Sequence, residues 1–131
     1  MTTAKKKFEV AALYFPTLGI ESATVRPIDG KKFGLEELQE AVGGAVEMLV
    51  PAKRGVTVWA NEEGLLLRLQ PNPHTSTVAN MRVYELNGYP PNWKAAGRLL
   101  AVHKSTTMHG ASTPTVHEAL NAVHAKKAVA Q

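Results

Sequence analysis

Leu35-Glu36-Glu37-Leu38-Gln39-Glu40-Ala41-Val42-Gly43-Gly44 reads as a helix followed by its stop. Leu35, Leu38 and Val42 recur at helical spacing while Glu36, Glu37 and Glu40 point away. Carboxylates in the first turn suit the positive end of the helix dipole. A glycine pair at the end predicts a left-handed helix stop and re-entry into extended chain. The segment that follows, Ala45-Val46-Glu47-Met48-Leu49, alternates as a strand and is closed by Pro51.

Further along, Val56-Thr57-Val58-Trp59-Ala60 and Leu65-Leu66-Leu67-Arg68-Leu69 flank Asn61-Glu62-Glu63-Gly64. Two apolar runs around a short connection ending in Gly predict a β-hairpin, with Trp59 in the core. Before the helix, Phe8 to Phe15 reads as a buried strand closed by Pro16, and Thr17 to Glu21 as a turn around Gly19. Ala23 to Ile28 has β character, but Pro27 cannot donate to a ladder, so this strand lies at an edge or ends there. Asn72-Pro73 predicts a helix start, with Ala79, Val83 and Leu86 on one face and Asn87-Gly88 at its end. Leu99 to Val102 is a further strand, and Ser105 to Thr113 a polar loop. The last helix runs from about Pro114 to Val129, with Thr115 and Glu118 as a capping box. Its Val116, Leu120 and Val123 form a narrow apolar stripe, able to dock on the core or serve a partner.

The expected fold is therefore α+β. It has a mixed, mainly antiparallel sheet of about five or six strands, with two or three helices packed on one side. At 131 residues the chain is near the size of one domain. Residues 1–7 are expected to be a disordered basic arm, 8–105 the core, 106–113 a loop and 114–129 the C-terminal helix.

Composition narrows the chemistry. There is no cysteine, which excludes disulfides, thiol nucleophiles and thiolate metal centres. The Lys5-Lys6-Lys7 start is not followed by an uninterrupted apolar run, because Glu9 and Pro16 intervene. No stretch approaches the ~18 apolar residues of a membrane span. A cytoplasmic protein without membrane contact is expected. The formal charge is +4, and Lys5, Lys6, Lys7, Lys126 and Lys127 carry much of it at the ends. The basic balance thus describes the termini more than a nucleic-acid-reading surface.

The helix with Leu38, Gln39, Val42, Gly43 and Gly44 is followed by a strand bearing Glu47, then Asn61-Glu62-Glu63-Gly64, then Asn72. In that order and spacing these residues resemble the family catalogued as domain of unknown function 3846, over about residues 28–102. The family usually has Ala where this chain has Thr75, and the Pro-rich Tyr89–Trp93 stretch is atypical of it. The resemblance implies an accessory protein of the kind carried by phages, plasmids and bacterial genomes, with no established activity.

Candidate site residues each carry a structural reading beside the functional one. Glu47, Asn61 and Glu62, with a cleft near Gly44, offer the groups of a small-molecule binder or small enzyme. Yet Glu62 and Glu63 sit where a tight turn expects polar side chains, and Glu47 could pair with Arg68. Gly43-Gly44 lacks a phosphate-loop signature. His74, His103, His109, His117 and His124 show no i, i+4 zinc pairing, so no metal and no cofactor is expected. No Gly-x-Ser-x-Gly elbow is present, so no catalytic residue is assigned. Trp93, with Tyr89 and Lys94 beside it, is the best recognition candidate, since an aromatic beside a basic group can anchor a partner or close the core. A non-enzymatic binding protein with a protein partner is the expected function. Nucleic-acid association through the basic termini and a small-molecule site are the alternatives. Edge strands and the last helix suggest a homodimer.

Overall fold

The computed structural model describes residues 7–16, 22–49, 52–105 and 113–130, the last five of these by backbone alone. The predicted turn at Thr17–Glu21, Lys5 and Lys6 of the basic arm, Pro51, His109, the loop at 106–112 and the side chains of Lys126 and Lys127 lie outside the described residues.

The strands are β1 (Phe8–Tyr14), β2 (Ser22–Val25), β3 (Val46–Leu49), β4 (Thr57–Asn61) and β5 (Leu99–Ser105). The helices are α1 (Leu35–Val42), α2 (Thr75–Val78), α3 (Met81–Leu86) and α4 (Val116–Ala130). One sheet forms in the order β2-β1-β5-β4-β3, and every pairing of its strands is antiparallel. β5 is central because Leu99 to Val102 are four successive buried residues, which only a strand covered on both faces can hold. It pairs with β1 from Phe8↔Ser105 to Tyr14↔Leu99 and with β4 from Thr57↔Val102 to Trp59↔Leu100. β2, ending before Pro27, takes the edge its proline requires.

The α+β class and antiparallel sheet match the sequence expectation; the placement of helices on one side does not. α1 and α4 pack with Leu13, Val25, Leu100 and Val102 on one face. α2, α3 and the chain around Ala95 pack with Val58, Ala60, Leu99 and Ala101 on the other. Alternating residues of β5 thus feed two cores.

The predicted hairpin is also corrected. β4 pairs with β3 and β5, and the chain from Glu62 to Arg68 is a succession of turns. Asn61 starts it: its side-chain oxygen accepts from Glu63 N at 2.8 Å and its carbonyl from Gly64 N at 3.2 Å. With β3 on one edge of β4 and β5 on the other, no edge is left for Leu65 to Leu69. Leu65 and Leu66 are 79% and 83% exposed. The helix predicted from Asn72 is broken at Ala79, which is extended, into α2 and α3. Thr75, Ser76, Thr77 and Val78 are weak helix formers, and Val78 O is taken by Lys53 N at 2.8 Å. Leu86 faces solvent and Tyr84 is buried instead.

The end of α1 is fully accounted for. A helix leaves its last four carbonyls without partners. Here Gln39 O accepts from Gly43 N (2.8 Å) and Gly44 N (3.0 Å). Arg98 takes Glu40 O through Nη2 (3.3 Å) and Ala41 O through Nε (2.6 Å). Val42 O accepts from Asn61 Nδ2 at 3.1 Å. Gly43, at φ +83°, is the left-handed stop. The Thr115–Glu118 capping box forms at α4 (2.9 and 3.3 Å), and the helix docks on the core through Val116 and Ala119, with Leu120 and Val123 packed alongside. His117 reaches Glu40 of α1 at 2.7 Å.

Candidate functional site

Gly64 creates the site. A Cβ there would stand 2.7 Å from the backbone oxygen of Ala96, so only glycine lets the turn lie directly on the chain leading into β5. The turn closes through Leu69 N to Gly64 O (3.0 Å), and Gly97 N binds Gln70 O (2.8 Å). Leu65 and Leu66 are thereby held beside Trp93, Lys94 and Ala95. With Glu47 of β3 and Asn61 and Glu62 at the end of β4, they line a notch of about 320 Å³.

The structure therefore brings Glu47, Asn61, Glu62, Trp93 and Lys94 together around one cavity. Their contributions differ. Asn61 is 4% exposed and its carboxamide is engaged on both sides, by Val42 and by Glu63. Glu47, Glu62 and Lys94 are exposed and offer charges of both signs. The Glu47–Arg68 pair considered above does not form: among the described residues the ion pair is His117–Glu40. Gly44 does not line the notch but backs Asn61, where its Cβ would meet Nδ2 at 3.1 Å.

Trp93 is half-buried and held by an aromatic trio. Its ring stacks on Tyr84 (centroids 5.0 Å, 16°) and meets Tyr89 edge to face (5.0 Å, 66°). Tyr89 also meets Tyr84 edge to face at 5.0 Å. One face of Trp93 is thus spent on the core while its ring lines the notch, which combines the two readings of this residue. Tyr84 is buried and its hydroxyl has no hydrogen-bond partner. Burial, then Tyr89 and Glu47, push its phenol above the ordinary tyrosine value.

Sequence reasoning missed Tyr84, Leu65 and Leu66. The first was legible as an aromatic within ten residues of Trp93 on a helix, had the apolar face been assigned to Tyr84 instead of Leu86. The leucines were absorbed into a strand. No group of three or more His, Cys, Asp or Glu side chains that could hold a metal ion occurs among the described residues. No helix is long and apolar enough to cross a membrane among them.

The family model described as Domain of unknown function (DUF3846) matches residues 18–97, a stretch that contains every residue lining this notch. No curated protein and no solved structure matches the chain.

Proposed function

We propose a function from the premise that this chain belongs to the domain of unknown function family DUF3846: it is a non-enzymatic binding protein of accessory, mobile-element type that recognises a partner protein in the cytoplasm. The notch beside Trp93 is its recognition site. One observation carries this reading: Leu65 and Leu66, 79% and 83% exposed, line the same notch as a half-buried tryptophan. A rigid aromatic flanked by exposed aliphatic side chains and rimmed by charge is the composition of an interface anchor. Glu47, Glu62 and Lys94 would select the charge pattern around an apolar side chain of the partner. A carboxamide already bonded on both sides makes Asn61 a support of the site instead of a ligand group.

The test is a random peptide library selected on immobilised protein, repeated on Trp93→Ala and Leu66→Asp. Enrichment of an apolar anchor flanked by charge, lost in both variants while their folds persist, is the expected result. No enrichment, or enrichment that both folded variants retain, overturns it. Retention on DNA or RNA at low salt in place of peptides would assign function to the basic termini. A dimer mass by light scattering that falls to monomer in Leu66→Asp would make a second copy the partner.

A further inference from the structure

A second cavity lies where the end of α1 and one face of α4 come together. It has a volume of about 440 Å³, within the range of small-molecule sites. Its walls are Phe15, Leu69, Leu120 and Val123, and its polar groups include Arg98 and His124. Arg98 decides its chemistry. The guanidinium is held by two backbone carbonyls, Ala41 O at 2.6 Å and Glu40 O at 3.3 Å, and among the described residues no carboxylate lies within ion-pair distance of it. Burial lowers its pKa from the ordinary value while Glu40 raises it, yet an arginine keeps its charge in such surroundings.

A guanidinium presents five N–H donors, and the two helix carbonyls account for bonds from Nε and Nη2. A cation partly withdrawn from water beside apolar walls, with no carboxylate ion-paired to it among the described residues, favours a ligand that brings one. Locking by the α1 carbonyls fixes the fork before any ligand arrives, so little side-chain freedom is lost on binding. Those carbonyls also offset part of the charge, which suits a monoanion better than a heavily hydrated dianion. Gly43 lies close against Nη2: a Cβ there would stand 3.0 Å from it, so glycine keeps a side chain out of that space.

We propose that this cavity binds a small amphipathic carboxylic acid, its carboxylate on Arg98 and its apolar body against Phe15, Leu69, Leu120 and Val123. His124 stands at the same cavity as a second donor to the acid. The site is independent of the notch beside Trp93, because the two share no lining residue.

The test titrates octanoate, octylamine, octanol and inorganic phosphate into the full chain, followed by calorimetry and by the backbone amide resonances of Gly43 and Gly97. Octanoate should shift both amides saturably with a Kd at or below about 1 mM. The other three should bind at least roughly tenfold more weakly. Arg98→Gln should weaken octanoate about tenfold or more. Val123→Trp, which fills the cavity and leaves Arg98 in place, should abolish it, and this variant decides the matter if Arg98→Gln does not fold. Absence of a saturable shift, equal binding of octanol, octylamine or phosphate, or unchanged affinity in folded Val123→Trp overturns the proposal.

Discussion

Asn61 Nδ2 donates to the Val42 carbonyl at 3.1 Å, so the last residue of β4 holds the last residue of α1. The same side chain accepts from Glu63 N at 2.8 Å and opens the turn that builds the notch. Asn61→Ala removes both bonds at a site 4% exposed and leaves a helix carbonyl without its donor. We expect a loss of about 2 kcal/mol or more, read as a lower urea midpoint at unchanged slope. Asn61→Asp should do no better, since a carboxylate would face that carbonyl. A midpoint within error of wild type in either variant would contradict this assignment.

Two glycines separate steric from conformational cost. Gly64→Ala places a Cβ 2.7 Å from the Ala96 oxygen, whereas Gly55, at φ +84°, has nothing within 4 Å of the added atom. Gly55→Ala should cost about 1 kcal/mol, the strain of a left-handed residue. Gly64→Ala should cost roughly 2–3 kcal/mol, because backbone must move. It should also red-shift tryptophan emission in a Trp59→Phe background, as Leu65 and Leu66 lift away from Trp93 and water reaches its ring. Equal costs in thermal melts would refute the close approach.

Asn72 is fully buried and joins three segments: Nδ2 reaches Tyr14 O (3.2 Å) and Gly97 O (2.9 Å), while Oδ1 accepts from His74 N (2.9 Å). Thr75 Oγ1 donates to Asn72 O (2.7 Å) and accepts from Ala95 N (3.0 Å). Asn72→Ala is expected to cost about 3 kcal/mol or more and Thr75→Ala about 1–2 kcal/mol. The double variant should lose less than the sum, since both sit in one network. Strict additivity in denaturant titrations would show that the network is not shared.

Tyr84→Phe is expected to be neutral or about 1 kcal/mol stabilising near neutral pH, because the hydroxyl it removes has no partner. Its larger effect lies at alkaline pH. The folded phenol sits above the ordinary 10.0 because of burial, then Tyr89 and Glu47. Its contribution is therefore complete below about pH 10 and lost as pH rises through the folded value. Wild type should lose stability across that range, with tyrosinate absorbance appearing on unfolding, and Tyr84→Phe should show a shallower decline. Parallel pH profiles would remove Tyr84 as the cause.

Much of the scaffold was legible because local chemistry wrote it. The Leu38–Val42 spacing, the Gly43 stop, the edge imposed by Pro27 and the Thr115–Glu118 box are each decided within a few residues. What misled was competition at a distance. Leu65 to Leu69 has the composition of a strand, but β4 is claimed on both edges, by β3 and by a β5 that lies far along the chain. The site residues Glu47, Asn61, Glu62, Trp93 and Lys94 could be nominated one by one. Their meeting could not, since it depends on the Gly64–Ala96 approach. Arg98 carried no local signal at all, as its partners are carbonyls 57 and 58 positions away.

That separation has a consequence for how the chain folds during synthesis. When α1 emerges from a ribosome, the donors for its Glu40, Ala41 and Val42 carbonyls have not yet emerged: Asn61 follows Val42 by 19 positions and Arg98 follows Ala41 by 57. An eight-residue helix is too short to persist alone in water. Its terminus must wait, wetted, until the central strand arrives to relieve it. Vectorial folding of this chain is thus deferred: a nascent chain halted before Arg98 should remain protease-sensitive throughout, and commitment should come in one step once Arg98 and the β5 strand behind it clear the exit tunnel.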